Sequence, residues 1–362
     1  MAHSFTYLRA GRGYLCRQRF LPGVLWRLNV SDGGSLLASL RVPPGFWKRA
    51  VLARLRPLLW RDDGRKVVLP VVGDYCIPVH KGYKVFDLAR GSVFKLFEDD
   101  GSEQAFRAEL VQAVRAGQLD FAPAVRSADE DRFWYEEEYV RGTIGHFLPP
   151  TQRRALLVDR TDEFVACLGA VAAAANGGAI SRERYTHQTA RYLRGRCNTV
   201  RRESPEAAAA IEEWTDANVA PIYEGGDANL ALVFSHGDFS LKNIVIDVGD
   251  RIRVIDWEHA APRSVYHDFC NLFVTEVYYQ RAAGEPWFMD SVPDAALRLE
   301  TVLRESDRHC GRLFGEEGRV LRHVYYLERM RMLLERRIDG NHIKVIQRSI
   351  EAFQEFEALW DG

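Results

Sequence analysis

The sequence predicts an α+β protein in two lobes, a small β-rich one followed by a larger, mostly helical one. Three observations lead there. The chain has 362 residues, long enough for two sizeable cores. Short apolar runs bounded by Gly, Pro and Asp fill residues 66–97. After residue 150, apolar residues recur mostly at helical spacing. The expected organisation is a basic N-terminal extension over 1–65, a β-rich lobe over 66–142 and a second lobe over 143–362.

The extension stands apart by charge. Through Arg61 it holds eleven basic residues and one acidic residue, Asp32, for a net +10, while the whole chain carries −1. A block of this kind suits an anionic partner or surface, or the acidic remainder of its own chain. Residues 46–56 read as a basic amphipathic helix with Trp47, Val51 and Leu55 on one side, a form that can lie on an anionic membrane. Pro57 should end or kink it.

Residues 67–72 and 75–79 read as edge-like strands, because each contains a proline. Residues 83–88 and 92–97 read as a hairpin turning at Ala89-Arg90-Gly91. Lys95 sits mid-strand, where a buried lysine needs a partner. A helix should run from about Ser102 to Ala116, with Phe106, Leu110 and Val114 as its apolar stripe and Glu103 and Glu109 beside it. Residues 133–142 read as a strand ending in a turn. Its three glutamates alternate in direction if the strand is regular, so at least one faces inward.

The second lobe reads as helices over residues 151–175, 182–194, 205–223, 294–314, 320–337 and 344–360. The six cysteines are scattered with no Cys-x-x-Cys pair, which favours reduced thiols in a cytoplasmic protein over a disulfide framework or zinc site. No apolar run reaches membrane-spanning length, and arginines break up the N-terminal segment where a signal peptide would need an apolar core. No internal repeat or low-complexity segment is present.

One stretch interrupts the helical lobe. Residues 244–253 read as two apolar, β-branched strands joined by a turn at Val248-Gly249-Asp250. An antiparallel hairpin brings its ends side by side. Asn243 entering it and Asp256 leaving it should therefore lie close together, with Asp238 just upstream and Glu258 just behind. Mg²⁺ prefers oxygen ligands and usually takes one or two carboxylates plus substrate phosphates. Asn243 and Asp256 can supply the protein ligands, and Asp238 is left to orient a hydroxyl and accept its proton, as in phosphoryl transfer.

His236-Gly237-Asp238 with Asn243 five residues on, then Ile255-Asp256-Trp257-Glu258 after a hairpin, resembles the catalytic and metal segments of the aminoglycoside phosphotransferase and choline kinase group. The resemblance spans roughly residues 66–275. It implies a bilobal protein-kinase-like fold, ATP and Mg²⁺ as cofactors, and transfer of a terminal phosphoryl group to a hydroxyl. It also implies an ion pair positioning nucleotide phosphates, Lys95 with Glu109, or Glu103 in reserve. Adenine would meet backbone groups near Glu138 and Val140. Metal would fall to Asn243, Asp256 and Glu258. His236 and Asp268 would hold the catalytic loop, and Lys242 would either neutralise the transferred phosphoryl group or remain a surface lysine. One departure is that no Gly-x-Gly-x-x-Gly precedes Lys95; Val72-Gly73-Asp74 is the nearest glycine turn.

The acceptor separates the readings. A polycationic aminoglycoside needs an acidic pocket, yet from Pro262 onward 17 acidic residues face 14 basic ones, only a mild excess. Choline needs an aromatic cage, for which Tyr278, Tyr279, Trp287 and Phe288 are candidates that core packing explains equally well. A sugar or glycolipid acceptor at the inner face of an anionic membrane accounts for the basic N-terminus. No nucleic-acid partner is expected. A protein acceptor is less expected, because no Ala-Pro-Glu follows Asp256. The reading from another class is a pseudokinase scaffold without turnover.

Overall fold

The computed structural model describes residues 4–10, 13–16, 66–79, 81–98, 102–174, 178–224, 228–283, 291–305, 315–336, 338–358 and 360. The basic helix expected over 46–56 lies outside them. In chain order the elements are β1 Phe5–Ala10, β2 Gly13–Cys16, β3 Lys66–Leu69, β4 Tyr75–Val79, β5 Gly82–Asp87, β6 Ser92–Phe97, α1 Ser102–Ala116, β7 Val125–Asp129, β8 Trp134–Glu138 and β9 Gly142–Ile144. Then follow α2 Pro150–Asp159, α3 Thr161–Ala173, β10 Ala179–Ser181, α4 Arg182–Glu203, α5 Pro205–Glu224, β11 Asn229–Ser235, β12 Ile244–Asp247, β13 Ile252–Val254 and β14 Ala261–Ser264. The chain closes with α6 His267–Ala283, α7 Ser291–Glu305, α8 Gly315–Glu335 and α9 Gly340–Ala358. The result is the expected α+β protein. It divides into two compact units, residues 1–148 with 244–258, and residues 149–243 with 259–362. Among the described residues no helix is long and apolar enough to cross a membrane.

The first unit is built on an eight-stranded antiparallel sheet in the order β3-β1-β2-β4-β5-β6-β8-β7. Two of its strands come from the first sixteen residues, so the sheet begins well before residue 66. β3 is an edge strand, as its composition suggests, but β4 is interior. Its Pro78 is tolerated because β2 pairs only with Tyr75 and Cys76, leaving Pro78 bound on one side, opposite Tyr83. Tyr7, Leu69, Cys76, Val85, Phe94 and Leu96 form the core on one face. On the other, Phe97 and Tyr135 meet Phe106 and Ala113 of α1. The buried stripe of α1 departs from expectation. Ala113 is buried and Val114 is 47% exposed. The line running Phe106, Leu110, Ala113 follows the helical repeat, and Val114 falls beside it. Burying Phe106 alone stabilises by about 2 kcal/mol.

A smaller sheet, β13-β12-β9, completes this unit. The hairpin forms as its composition suggests, with Ile244 opposite Val254 and Ile246 opposite Ile252. Gly142 on β9 lies so close to Ile246 O that a Cβ would clash with that backbone, which excludes any side chain there.

In the second unit, β10-β11-β14 form a three-stranded sheet among helices. The helix expected over 151–175 is two, α2 and α3, broken at Arg160 (φ −111°, ψ 24°). Thr161 Oγ1 donates back to Leu157 O at 2.7 Å. The helix expected over 182–194 runs on to Glu203, where Ser204 ends it and its Oγ accepts the Ala207 N–H of the next helix at 3.2 Å.

Candidate active site

In the first unit the sheet registers decide which side chains meet. Lys84 on β5 lies opposite Lys95 on β6, and Lys95 lies opposite Tyr135 on β8. These three therefore project from one face, as does Glu137, two residues along from Tyr135. The Lys95 ammonium is 2% exposed and forms ion pairs with Glu109 of α1 and with Glu258 Oε2 at 2.7 Å. Tyr135 Oη also donates to Glu109 Oε1, at 2.9 Å. Burial pulls the Lys95 pKa down, but Glu109, Asp256 and Glu258 outweigh it, and the ammonium is held charged above its ordinary range. Glu103 instead pairs with Arg107 at 2.9 Å on the exposed side of the helix.

Asp256 follows β13 in a left-handed conformation (φ 67°) that a non-glycine residue adopts only under constraint. Trp257 anchors this turn, donating from Nε1 to Val254 O at 2.9 Å. Lys84 Nζ meets Asp256 Oδ1 at 2.8 Å. Lys84 gave no signal in the sequence, where it is one charged residue in a short strand. Removal from water and the neighbouring Asp256 both raise the Glu258 pKa, and Lys95 and Lys84 reverse this, leaving it lowered. Two hard-oxygen carboxylates on one short turn, with two lysines balancing their charge, fit a Mg²⁺ ion by donor chemistry. Among the described residues no cluster of three or more His, Cys, Asp or Glu forms a cage from protein groups alone.

The β8 glutamates separate as expected of alternating residues. Glu136 accepts from Ser92 Oγ at 2.6 Å and Ser127 Oγ at 2.9 Å. Glu138 Oε2 accepts from Arg253 at 2.8 Å, and the Glu138 N–H is given to Ala124 O at 2.9 Å. Glu137 points toward the lysine face, and loss of water pushes its pKa to about 7 despite Lys84 and Lys95.

In the second unit, β11 delivers Ser235 to the loop 235–243. Asp268, at the start of α6, gathers this loop: its carboxylate accepts from Ser235 Oγ (3.0 Å), His236 N–H (2.7 Å) and Gly237 N–H (2.9 Å). His236 is fully buried, and its Nδ1 accepts the Asp238 N–H at 3.2 Å. Gly237 has φ +82°, and a Cβ there would lie 2.4 Å from His259 O. Asn271 Nδ2 donates to Phe239 O at 3.1 Å. Behind the loop, buried Glu328 of α8 accepts from Tyr185 Oη (2.6 Å), Ser264 N–H (2.8 Å), Ser264 Oγ (2.7 Å) and His267 Nδ1 (2.7 Å). His267 Nε2 in turn lies 3.3 Å from Gly237 O.

So held, Asp238 presents its carboxylate to Arg329 of α8, 3.1 Å away, while Asn243 Nδ2 donates to Asp238 O at 2.9 Å and to Oδ2 at 3.3 Å. Burial would raise the Asp238 pKa; Arg329, His236, His259 and Arg336 reverse that and hold it below its ordinary value. Asp238, Lys242, Tyr278, Tyr279, Arg329 and Arg336 share a cavity of about 240 Å³. Lys242 Nζ sits over the Tyr279 ring, 4.3 Å from its centroid. Burial, with Arg329 and Arg336, lowers its pKa against the pull of Asp238. Arg329, Arg336 and Glu328 were not anticipated: about ninety residues from the motif, they read as ordinary polar positions of an amphipathic helix.

Glu276, one turn before Tyr279 on α6, is 1% exposed and 3.9 Å from Arg153. Burial pushes its pKa from an ordinary 4.5 to about 7, against Arg153 and Lys242. The folded state thus holds a proton that the unfolded chain releases between pH 4.5 and 7, and stability falls as pH rises through that window. Glu276→Gln removes this effect. Thermal unfolding should show the variant more stable than the parent at pH 8, by up to about 3 kcal/mol, with the difference gone near pH 4. A variant less stable at pH 8 would mean that the Arg153 pair outweighs the burial.

Residues 83–314, more than half of the chain, match the family described as APH, Phosphotransferase enzyme family. No curated protein matches the chain in sequence. Among solved structures, an ethanolamine kinase from Plasmodium vivax is 13% identical, over 78% of this chain and 83% of that one, with a TM-score of 0.52, a likeness of fold. A choline kinase from Cryptosporidium parvum Iowa II is 13% identical over 79% and 85% of the two chains, with a TM-score of 0.49. A glucosamine kinase is 14% identical over 81% and 78%, also at 0.49. With its protein-kinase-like fold and more than half its length matched, the chain belongs to the phosphotransferase enzyme family and is a kinase acting on a hydroxyl group.

Proposed function

We propose that the protein transfers the terminal phosphoryl group of ATP to a hydroxyl of a carbohydrate-type acceptor bound in the cavity beside Asp238. The observation that carries this reading is Asp238 itself: a carboxylate at the cavity wall, kept ionised by Arg329 and aimed by Asn243. The acceptor hydroxyl attacks the terminal phosphorus, the bond to the bridging oxygen of ADP breaks, and Asp238 takes the hydroxyl proton. A carboxylate of low pKa is a weak proton acceptor. Asp238 therefore acts first by orienting the hydroxyl and receives the proton late, as oxygen–phosphorus bonding makes that proton acidic.

The remaining roles follow. Lys95, fixed by Glu109, positions nucleotide phosphates, and the backbone at Glu138 and Val140 receives adenine; with the Glu138 N–H already given to Ala124, Val140 is the stronger candidate. Asn243, Asp256 and Glu258 would hold Mg²⁺, which when bound neutralises phosphate charge. Lys242, on the cavity wall, would neutralise charge where the transferred group meets the acceptor. His236 and Asp268 hold the loop. Strands β1 and β2 belong to the sheet, so within the basic first 61 residues we assign the stretch after Cys16 to an anionic membrane surface, where a glycolipid acceptor would be met.

A choline-type acceptor fits less well. The Tyr279 face that would take a quaternary ammonium is covered by the Lys242 ammonium. Trp287 and Phe288 lie outside the described residues. The test is acceptor-dependent ADP release across sugars, polyols, amino sugars and choline. Release with hydroxylated carbohydrates is expected. Nucleotide binding by thermal shift with no release for any acceptor would favour the scaffold reading instead.

A further inference from the structure

We propose that the acceptor carries an anionic group, a phosphate or a carboxylate, beside the hydroxyl that is phosphorylated, and that Arg336 and Lys242 bind it. This rests on the reading that the cavity beside Asp238 is the acceptor site. The argument is one of charge. Of the described residues lining the cavity, Asp238 is the one acid, against Lys242, Arg329 and Arg336. Arg329 is committed to Asp238 at 3.1 Å. Among the described residues, Lys242 and Arg336 have no carboxylate partner. Lys242 rests on an aromatic face, and Arg336 follows directly after α8 with an exposed side chain. The cavity thus carries a net +2 wall with two uncommitted cations.

The neighbouring groups strengthen the case. Besides Asp238, the acid acting on Lys242 is Glu276, and its burial raises its pKa to about 7. It lies outside the cavity lining. Arg329 and Arg336 act on Lys242 as like charges, an arrangement that an intervening anion relieves. Ser240 lines the same cavity. It is 1% exposed, and its buried hydroxyl has no hydrogen-bond partner within the described structure. A buried hydroxyl is rarely left unsatisfied. Ser240, with the hydroxyls of Thr275 and Tyr278 on the same wall, offers donors suited to a polyol or an oxyanion. A choline, ethanolamine or aminoglycoside cation would enter against the two uncommitted like charges, whereas a sugar phosphate or sugar acid meets them as partners.

The experiment uses the full chain and four probes of one skeleton: glucose 6-phosphate, gluconate, glucose and glucosamine. Binding is measured calorimetrically without nucleotide, and turnover separately as ADP release. The anionic probes are expected to bind at least about tenfold more tightly than glucose, and glucosamine more weakly than glucose. Raising the salt concentration should narrow the gap. The ratio of glucose 6-phosphate to gluconate affinity tells phosphate from carboxylate. Arg336→Glu, at an exposed position, should keep the parent unfolding temperature and abolish the preference. Arg336→Lys should restore most of it. The proposal is overturned if glucosamine binds as well as either anionic probe, if no anionic probe binds more tightly than glucose, or if Arg336→Glu leaves the ratio unchanged. The two readings fail separately. Anionic preference in binding with no ADP release for any probe would count against the kinase assignment of this cavity. Turnover that favours neutral or cationic probes would count against the anionic acceptor alone.

Discussion

Asp238→Asn lowers turnover by about 10²–10⁴-fold and leaves nucleotide affinity close to that of the parent. The substitution keeps the shape of the side chain and removes the charge that orients the hydroxyl and receives its proton. Its neighbours Arg329 and Asn243 remain in place, although Arg329 loses its counter-charge. Single-turnover ADP release reads the chemical step, and titration with a fluorescent nucleotide reads binding. Asp256→Ala should show the converse, loss of Mg²⁺-dependent nucleotide binding. Small and equal effects of the two changes on turnover would remove both assignments. The lowered Asp238 pKa adds a signature. The group stays ionised through mildly acidic pH, so any loss of rate traceable to it begins below the ordinary carboxylate range.

Glu328→Ala should destabilise the second unit by about 3–5 kcal/mol, the cost expected when one member of a buried charged network is removed. The four donors that converge on this carboxylate come from α4, β14 and α6. Alanine leaves the tyrosine, the serine and the histidine without their acceptor, the serine and the histidine in sites closed to water. Burial opposes the charged form, but His267, Tyr185 and Ser264 hold the Glu328 pKa below its ordinary value. The sign follows: this stabilisation is complete above the unfolded-state pKa and is lost as pH falls through the folded one. Urea unfolding of parent and variant at pH 7 measures it. A loss under about 1 kcal/mol would show that the network relaxes around the gap. Because His267 joins Glu328 to Gly237 O, turnover should fall with stability, and Glu328→Gln should recover part of both.

The two-part architecture was legible because each part follows a period that elementary geometry imposes. Runs of apolar, β-branched residues around a glycine turn announce the hairpin of β12 and β13, and helical spacing announces α1. The metal and base candidates were legible because they cluster within about twenty residues. What sequence could not supply were partners set by three-dimensional register. Lys84 reaches the Lys95 face only because β5 and β6 align those two residues, a detail fixed by the turn at Gly91. Arg329 and Glu328 approach Asp238 and its loop from a distant helix, and their spacing on α8 matches any amphipathic helix. Local errors also have physical causes. The break at Arg160 lacks a glycine or proline to mark it. Pro78 suggested an edge because composition cannot reveal that a neighbouring strand stops short. Val114 was placed in the core by spacing, when Ala113 fills the position one residue earlier.

The first unit is discontinuous: residues 244–258 complete it, after 95 residues that belong to the other. During synthesis the strand Gly142–Ile144 therefore leaves the ribosome long before its partner Ile244–Asp247 exists. Lys95 likewise waits more than 160 residues for Glu258. Sequence-distant pairings of this kind close late and slow the search for the native state. The buried lysine is thus only partly neutralised, by Glu109, until most of the chain has been made. The last acids to arrive on that face, Asp256 and Glu258, are the same ones proposed to hold the metal, so the first unit cannot mature as an independent N-terminal fragment.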